Sequence, residues 1–266
     1  MCQRFVLTPA QFDYLLRHAV HIWQIGKSLY AWHMCGRYAI APSRKDAWAT
    51  MGDQLGPRIE EMLNALEPQF NIAPSTQIPI IRQHPKTLEI EPLIARWGFV
   101  PHWWKNVKAP TLSINARQEE AATKPMWRDA WLLRRCLIPA THWYEWRKDP
   151  TGKQPYSFEM PKGEGFCFAG LYSHWTPPGS DAAIYTAAIV TRDAAPSIAY
   201  IHDRMPVVLH PLAWRDWLDP ERKTRELVDQ VLVIHSIMEM ATQRISTRVN
   251  SVRNQGPDVL EPLGEQ

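Results

Sequence analysis

The chain contains no run of about 18 apolar residues, the length from which a helix can span a bilayer, so no membrane crossing by helix is expected. Cysteine is scarce. The four, Cys2, Cys35, Cys136 and Cys167, form no CxxC pair and have no histidine at metal-ligand spacing. That argues against a disulfide scaffold and against the common zinc frameworks, so neither metal nor cofactor is expected. A reducing, cytoplasmic setting is the simplest fit. Excess charge is small too: 30 Lys+Arg against 27 Asp+Glu leave +3, so any nucleic-acid affinity must come from local clustering. Residues 1–33 lack a basic front, a long apolar block and a small-residue cleavage site, so no secretory signal is expected there. There is no internal repeat and no low-complexity tract.

What is present is aromatic and proline-rich. The 13 tryptophans serve either as core and surface aromatics or as a platform on which bases stack. The 23 prolines, spread throughout, favour many short elements joined by loops. Residues 8–25 read as an amphipathic helix, and Cys35 to Ile40 as a strand. Ser43 can cap a helix running to about Met51, and Pro57 can open another to about Leu66. Strands are expected at 78–82, 88–97, 136–139, 142–147, 156–159, 166–174 and 183–191, with a turn at Asp149-Pro150-Thr151-Gly152. Helices are expected at 119–133, 211–218 and 221–230. Strands without regular helix alternation indicate an α+β fold or a mixed sheet closed on itself. Cys136 and Cys167 lie in apolar runs and read as buried, inert thiols.

Four local motifs carry the chemistry: Met34-Cys35-Gly36-Arg37-Tyr38, Ser113 to Glu120, Trp143-Tyr144-Glu145-Trp146-Arg147, and Ile201-His202-Asp203-Arg204-Met205-Pro206. Glu145 alternates with large aromatics. It is either the solvent-side residue of a half-buried strand or an inward carboxyl whose pKa is raised by desolvation, as proton transfer requires. His202 is either a loop histidine or, with an ordinary pKa of about 6.5, a proton shuttle. Asn115 can cap a helix over 116–133. Arg37, Arg117 and Arg204 are either surface arginines or phosphate contacts.

Together these motifs resemble the SOS-response-associated peptidase (SRAP) family, whose members crosslink to abasic sites in single-stranded DNA. The resemblance also rests on Asn71 to Pro74, Trp97-Gly98, Pro101-His102-Trp103-Trp104, Asn115 to Glu119, Tyr144-Glu145-Trp146 and Val249 to Gly256, in that order over 34–262. It implies a single α+β domain with a mixed, largely antiparallel, barrel-like sheet flanked by short helices. It implies that Cys35, once N-terminal, captures the aldehyde of an opened abasic deoxyribose as a thiazolidine. Asn115 would orient the sugar, while Glu145 and His202 would move protons. Arg37, Arg117 and Arg204 stand beside these residues, Lys124 extends their track, Trp103 and Trp104 are placed to stack on bases, and Asn71 is a weaker sugar or phosphate contact. The partner is single-stranded DNA containing abasic sites, the chain a monomer, and the setting the cytoplasm, with nucleoid association when bound to DNA. Runner-up readings are a non-covalent single-strand binder and a peptidase using Cys35 with His202.

The chain departs from that pattern at residues 1–33, an N-terminal extension that leaves Cys35 with an amide nitrogen. Either translation begins at Met34, or the extension is removed by self-cleavage, or Met1-Cys2-Gln3-Arg4-Phe5 is the working start. Cys2 is the weaker candidate, because Gln3 stands where the family pattern has glycine.

Overall fold

The computed structural model describes residues 35–110, 112–150 and 152–264. The expected helix at 8–25, the 1–33 extension and Cys2 lie outside them. In chain order the first elements are β1 (Tyr38–Ile40), α1 (Ala49–Leu55), α2 (Pro57–Asn64), β2 (Gln69–Ile72), β3 (Gln77–Gln83), β4 (Ile90–Trp97) and β5 (Asn115–Arg117). Then come α3 (Gln118–Ala121), α4 (Arg128–Leu133), β6 (Arg135–Ala140), β7 (His142–Asp149), β8 (Gly152–Glu159), β9 (Phe166–Trp175) and β10 (Ile184–Asp193). The remainder includes β11 (Arg204–Pro206), β12 (Val208–Leu209), α5 (Trp214–Leu218), α6 (Arg225–His235), β13 (Ser236–Ile237) and β14 (Ala241–Arg244).

Strands β4, β3, β6, β9 and β10 pair in that order, and β10 returns to β4, closing a five-stranded barrel. Only the closing pair is parallel, with Thr186 opposite Arg96 and Ala187 opposite Trp97. Closure removes the open edges that would otherwise invite further pairing. The all-buried β6 and the long apolar stretch of β9 are covered on both faces, which is why both read as continuous apolar runs. A second sheet, ordered β14-β8-β7-β1-β2, packs against the barrel through an aromatic seam. Trp143 of β7 stacks on Phe158 of β8 (centroids 4.7 Å apart) and meets Phe166 and Phe168 of β9 edge-on. Tyr38 of β1 meets Trp97 of β4 at 5.2 Å and Phe168 at 5.8 Å. The fold is thus α+β, a barrel-like mixed sheet with short helices, as the alternation of elements indicates.

Most of the tryptophan is core. Trp48, Trp97, Trp131, Trp143, Trp214 and Trp217 are fully buried and Trp127 and Trp175 nearly so, so among the described residues only a minority is placed for base stacking. Several boundaries differ from expectation. The single helix expected at 119–133 is two, α3 and α4, separated by turns around Pro125, whose missing N–H cannot continue a helical ladder. Asn115 is not its cap but the first residue of β5. The helix expected from Ser43 begins at Ala49, after a run of turns. Gly98 ends β4 at φ 143°, where its N–H reaches Ala187 O (2.9 Å) and a Cβ would come within 2.7 Å of Leu112.

Two polar anchors fix peripheral segments. Arg135, buried at the start of β6, donates to the carbonyls of Trp131, Leu132, Trp217 and Asp219 at the ends of α4 and α5. Burial lowers its pKa to about 10. Asn71, buried in β2, donates to the carbonyls of Val249, Ser251 and Asn254 and accepts from Arg37 Nη1 (2.8 Å), pinning the C-terminal segment. Arg135→Met removes all four of these hydrogen bonds from the interior. The expected loss is about 3 kcal/mol or more, read as a Tm lowered by about 6–12 °C in a thermal melt. Asn71→Ala is expected to speed amide hydrogen exchange at 247–256 at least tenfold while leaving barrel amides unchanged; uniform protection would show that the segment is held by other contacts.

Candidate active site

Strand β7 pairs with β1 so that Tyr38 stands opposite Trp143 and Ala39 opposite His142. Continuing the register, Tyr144 N–H donates to Arg37 O (3.1 Å), and the chain preceding β1 runs back towards Glu145. Side chains alternate along a strand, so Trp143 and Glu145 share the face turned to the barrel while Tyr144 and Trp146 share the other. The outer face is covered as well: Tyr144 packs with Ala39, Ala41, Ile245, Val249 and Val259, and Trp146 lies against that cluster. Glu145 is therefore buried (2 % exposed), not the solvent-side residue that alternation alone allows.

Cys35 N–H donates to Glu145 Oε1 at 2.8 Å. Cys35 is buried and adopts φ 46°, a left-handed conformation that turns its nitrogen towards the carboxyl. Burial raises the Glu145 pKa above the ordinary carboxylate range, against the opposing pull of His202 and of the Cys35 hydrogen bonds. Burial also pushes the Cys35 thiol well up, reinforced by the Glu145 charge, while Arg204 pulls it down. His202 Nδ1 accepts Arg204 N–H (3.1 Å), which assigns the ring proton to Nε2. The exposed Asp203 carboxylate stands 3.1 Å from the same nitrogen, an acceptor ready for the charged ring.

Asn115 and Arg117 belong to β5, paired in parallel with β10 opposite Ile189 and Thr191. Asn115 is half-buried and Arg117 exposed. Arg204, on β11, also borders β10, opposite Asp193. Its guanidinium grips both carboxylate oxygens of Glu119 (2.9 Å each), the Asp193 carboxylate and Thr191 O (2.9 Å). Burial works against ionised Glu119, yet the Arg204 hydrogen bonds hold its pKa below the ordinary range. This clamp ties the segment after His202 to the helix after Asn115. Glu119 was visible in the sequence as the end of the Asn-Ala-Arg-x-Glu motif; Asp193, within a strand, carried no signal.

The residues expected to touch DNA are placed variously. Arg37 donates to Asn71 and to the carbonyls of Val249 (2.8 Å) and Asn250 (3.4 Å), so Arg37 and Asn71 engage each other and the C-terminal segment. Lys124, exposed, pairs with Glu120 one turn before it (2.5 Å). Trp103 and Trp104 occupy the loop between β4 and β5 with rings 6.1 Å apart; Trp103 is 43 % exposed. Trp104 is fixed by its Nε1 donating to Lys108 O (2.9 Å). Cys136 and Cys167 are buried free thiols. Among the described residues no group of three or more His, Cys, Asp or Glu side chains is arranged to hold a metal, and no helix is long and apolar enough to cross a membrane.

The chain is similar to several known proteins. YoqW of Bacillus subtilis (strain 168), an abasic site processing protein, is 33 % identical over 230 residues, covering 86 % of this chain and 99 % of its own. YedK of Escherichia coli (strain K12), of the same designation, is 30 % identical over 232 residues, covering 86 % and 100 %. HMCES of Gallus gallus, also an abasic site processing protein, is 30 % identical over 265 residues, covering 86 % and 78 %. A crystal structure from Bacteroides thetaiotaomicron superposes with a TM-score of 0.69 at 22 % identity over 86 % of this chain and all of the other, a likeness of fold. A phage-related protein from Bordetella bronchiseptica gives 0.60 at 27 % identity over 80 % and 95 %. The model of one family, "SOS response associated peptidase (SRAP)", matches residues 34–252, a span that takes in Cys35, Asn115, Glu145, His202 and the Arg204 clamp, and the chain belongs to that family.

Proposed function

We propose that this protein processes abasic sites in single-stranded DNA by forming a covalent thiazolidine between Cys35, freed as an N-terminal residue, and the aldehyde of the opened deoxyribose. The observation that carries the reading is the 2.8 Å contact between the Cys35 nitrogen and a buried Glu145. It sets a proton donor–acceptor on the atom that must attack the aldehyde carbon.

The chemistry divides into three steps. The closed sugar opens when its C1 hydroxyl gives up a proton and the ring oxygen receives one, with the C1–O bond to that oxygen breaking; Glu145 and His202 are the groups that exchange these protons. The Cys35 α-amine, with an ordinary pKa of about 7.7–8.0, is partly neutral at pH 7 and adds to the aldehyde carbon. Protonated Glu145 then gives its proton to the departing hydroxyl, which leaves as water and yields an iminium. The Cys35 thiol, kept protonated by burial, adds last: its proton passes to the Glu145 carboxylate left by the previous step, and sulfur bonds to carbon as the C=N electron pair returns to nitrogen. Asn115 orients the opened sugar. Arg117, exposed, supplies positive charge along the strand, and Arg37, Asn71, Arg204 and Lys124, each held by partners inside the protein, border its path. Trp103 and Trp104 stack on flanking bases, worth about 1–3 kcal/mol per base.

The same contact supports a second step, release of the extension. With residues 1–34 attached, the Cys35 nitrogen is that of the Met34–Cys35 peptide bond. Attack of the Cys35 thiol on the Met34 carbonyl, with the Glu145 proton passing to the leaving nitrogen and the thiol proton replacing it on Glu145, gives a thioester that water hydrolyses to a free Met34 carboxylate and a free Cys35.

Incubation of the 34–266 form, its initiator methionine removed, with an abasic single-stranded oligonucleotide is expected to give a slow-migrating species on a denaturing gel. Cys35→Ala, or a chain with the extension intact, should give none; an adduct of equal yield from Cys35→Ala would overturn the assignment. The crosslinking rate is expected to rise with pH as the amine loses its proton and to fall as Glu145 ionises, above the usual carboxylate range. Glu145→Gln should lower the rate by about 10²-fold or more and remove the falling limb, with DNA affinity changed less than about threefold.

A further inference from the structure

The loop between β4 and β5 carries His102 directly before Trp103 and Trp104, and the end of β9 carries His174 directly before Trp175. Trp175 Nε1 donates to Trp104 O at 2.7 Å, which ties the two segments together. The two imidazoles consequently lie nearly parallel, with centroids 6.4 Å apart and planes 28° apart, and both residues are exposed. Arg134, just past the end of α4, reaches the same place: its Nη2 is 3.1 Å from His102 Nδ1. A guanidinium carries only donors, so His102 Nδ1 is the acceptor and the ring proton belongs on Nε2, leaving that N–H for another partner. Arg134 Nε is buried without a hydrogen-bond partner among the described residues, and the side chain forms no ion pair there.

The surroundings are poor in balancing negative charge. Arg82 of β3 lies 5.3 Å from the ring centroids of Tyr172 and Tyr185, and its own charge is met by Glu91 of β4 at 2.7 Å. Asp129 of α4 pairs with Arg128 (3.5 Å), and its charge also acts on Arg134 and His102. Burial, and then the charge of Arg134, hold both imidazoles below their ordinary range. A notch of this kind, with convergent donors and a cation that forms no ion pair among the described residues, suits an oxyanion.

We propose that His102, His174 and Arg134 form a binding notch for a phosphodiester group of a DNA single strand whose neighbouring bases stack on Trp103 and Trp104. The proposal rests on the reading that the protein binds single-stranded DNA, and it extends the strand's path to a part of the surface built from α4 and β9. The tryptophans decide between oxyanions. They offer faces for bases immediately beside the notch, whereas a carboxylate-bearing peptide brings nothing to stack there. The exposed Lys105, next after Trp104, adds charge on the same loop.

The test measures equilibrium binding of the full-length chain to an undamaged single-stranded oligonucleotide of about 15 nucleotides, across a salt series. Loss of one phosphate contact predicts that Arg134→Gln weakens binding about five- to tenfold and makes the slope of log K against log[salt] shallower by about 0.7. His102→Gln, an exposed change that leaves the core alone, is expected to weaken binding by about twofold or more. In histidine NMR titrations of the wild-type protein, DNA should raise the titration midpoints of both His102 and His174, since a phosphate beside them favours the charged ring against Arg134 and Arg82 while Asp129, Glu91, Tyr172 and Tyr185 stay as they are. Unchanged affinity and slope in both variants, with DNA still bound by the wild type, overturns the notch and leaves the single-strand reading standing. No binding by the wild type overturns both. Equal midpoint shifts from inorganic phosphate or polyglutamate at matched charge assign the notch to free anions or acidic chains instead, and overturn it as a DNA contact.

Discussion

The site depends on a carboxyl held in the interior by strand register. Trp143 and Glu145 are two residues apart on β7 and therefore share a face. Trp143 is committed to the seam that joins the second sheet to the barrel, stacked on Phe158 and edge-on to Phe166 and Phe168. Glu145 cannot turn to solvent without turning Trp143 out with it, because a one-residue slip exchanges the two faces of a strand. The apolar contacts of a tryptophan thus enforce the burial of a carboxyl, and burial sets its proton affinity. The same β1–β7 register carries the backbone nitrogen of Cys35 to the carboxylate oxygen.

A second constraint is ionic. Arg204 joins β11, β10 and α3 through Glu119, Asp193 and Thr191 O, and so connects the segments bearing His202 and Asn115, which are far apart in sequence. A buried arginine meeting two carboxylates gains most from geometry when bidentate, as it is with Glu119. Its charge also reaches Cys35, where it opposes the effect of burial on the thiol. Arg37 and Asn71 do comparable work on the opposite side, holding the C-terminal segment against β2. Polar residues that read in sequence as surface contacts for DNA are, in these cases, well supplied with partners inside the protein. Trp103, on its exposed loop, is not enclosed in this way.

Much of the strand pattern was legible. The strands expected at 78–82, 136–139, 142–147 and 166–174 lie within β3, β6, β7 and β9, because apolar β-branched and aromatic runs bounded by turn residues have few other uses. The helices were less so. The single helix expected at 119–133 passes over Pro125, whose break the sequence does carry, while short elements such as β5 and β11 owe their existence to pairing with β10. Candidate site residues were legible by type and order, but the Asp193 partner of Arg204 and the His102–His174 approach were not, since each joins segments that sequence spacing does not relate.

The sequence by itself determined which chemistry is available: a cysteine that can become N-terminal, a carboxyl among aromatics, a histidine followed by an arginine, and too few cysteines and histidines at ligand spacing for a common zinc framework. It left Glu145 open between solvent and interior and read Asn115 as a helix cap. Tertiary structure decided both. Covering both faces of β7 is a property of two packed layers, and the place of Asn115 is set by parallel pairing with a strand more than seventy residues away. Residue type supplies a functional group, while its protonation and reach follow from desolvation and register, and both of these arise only when distant segments pack.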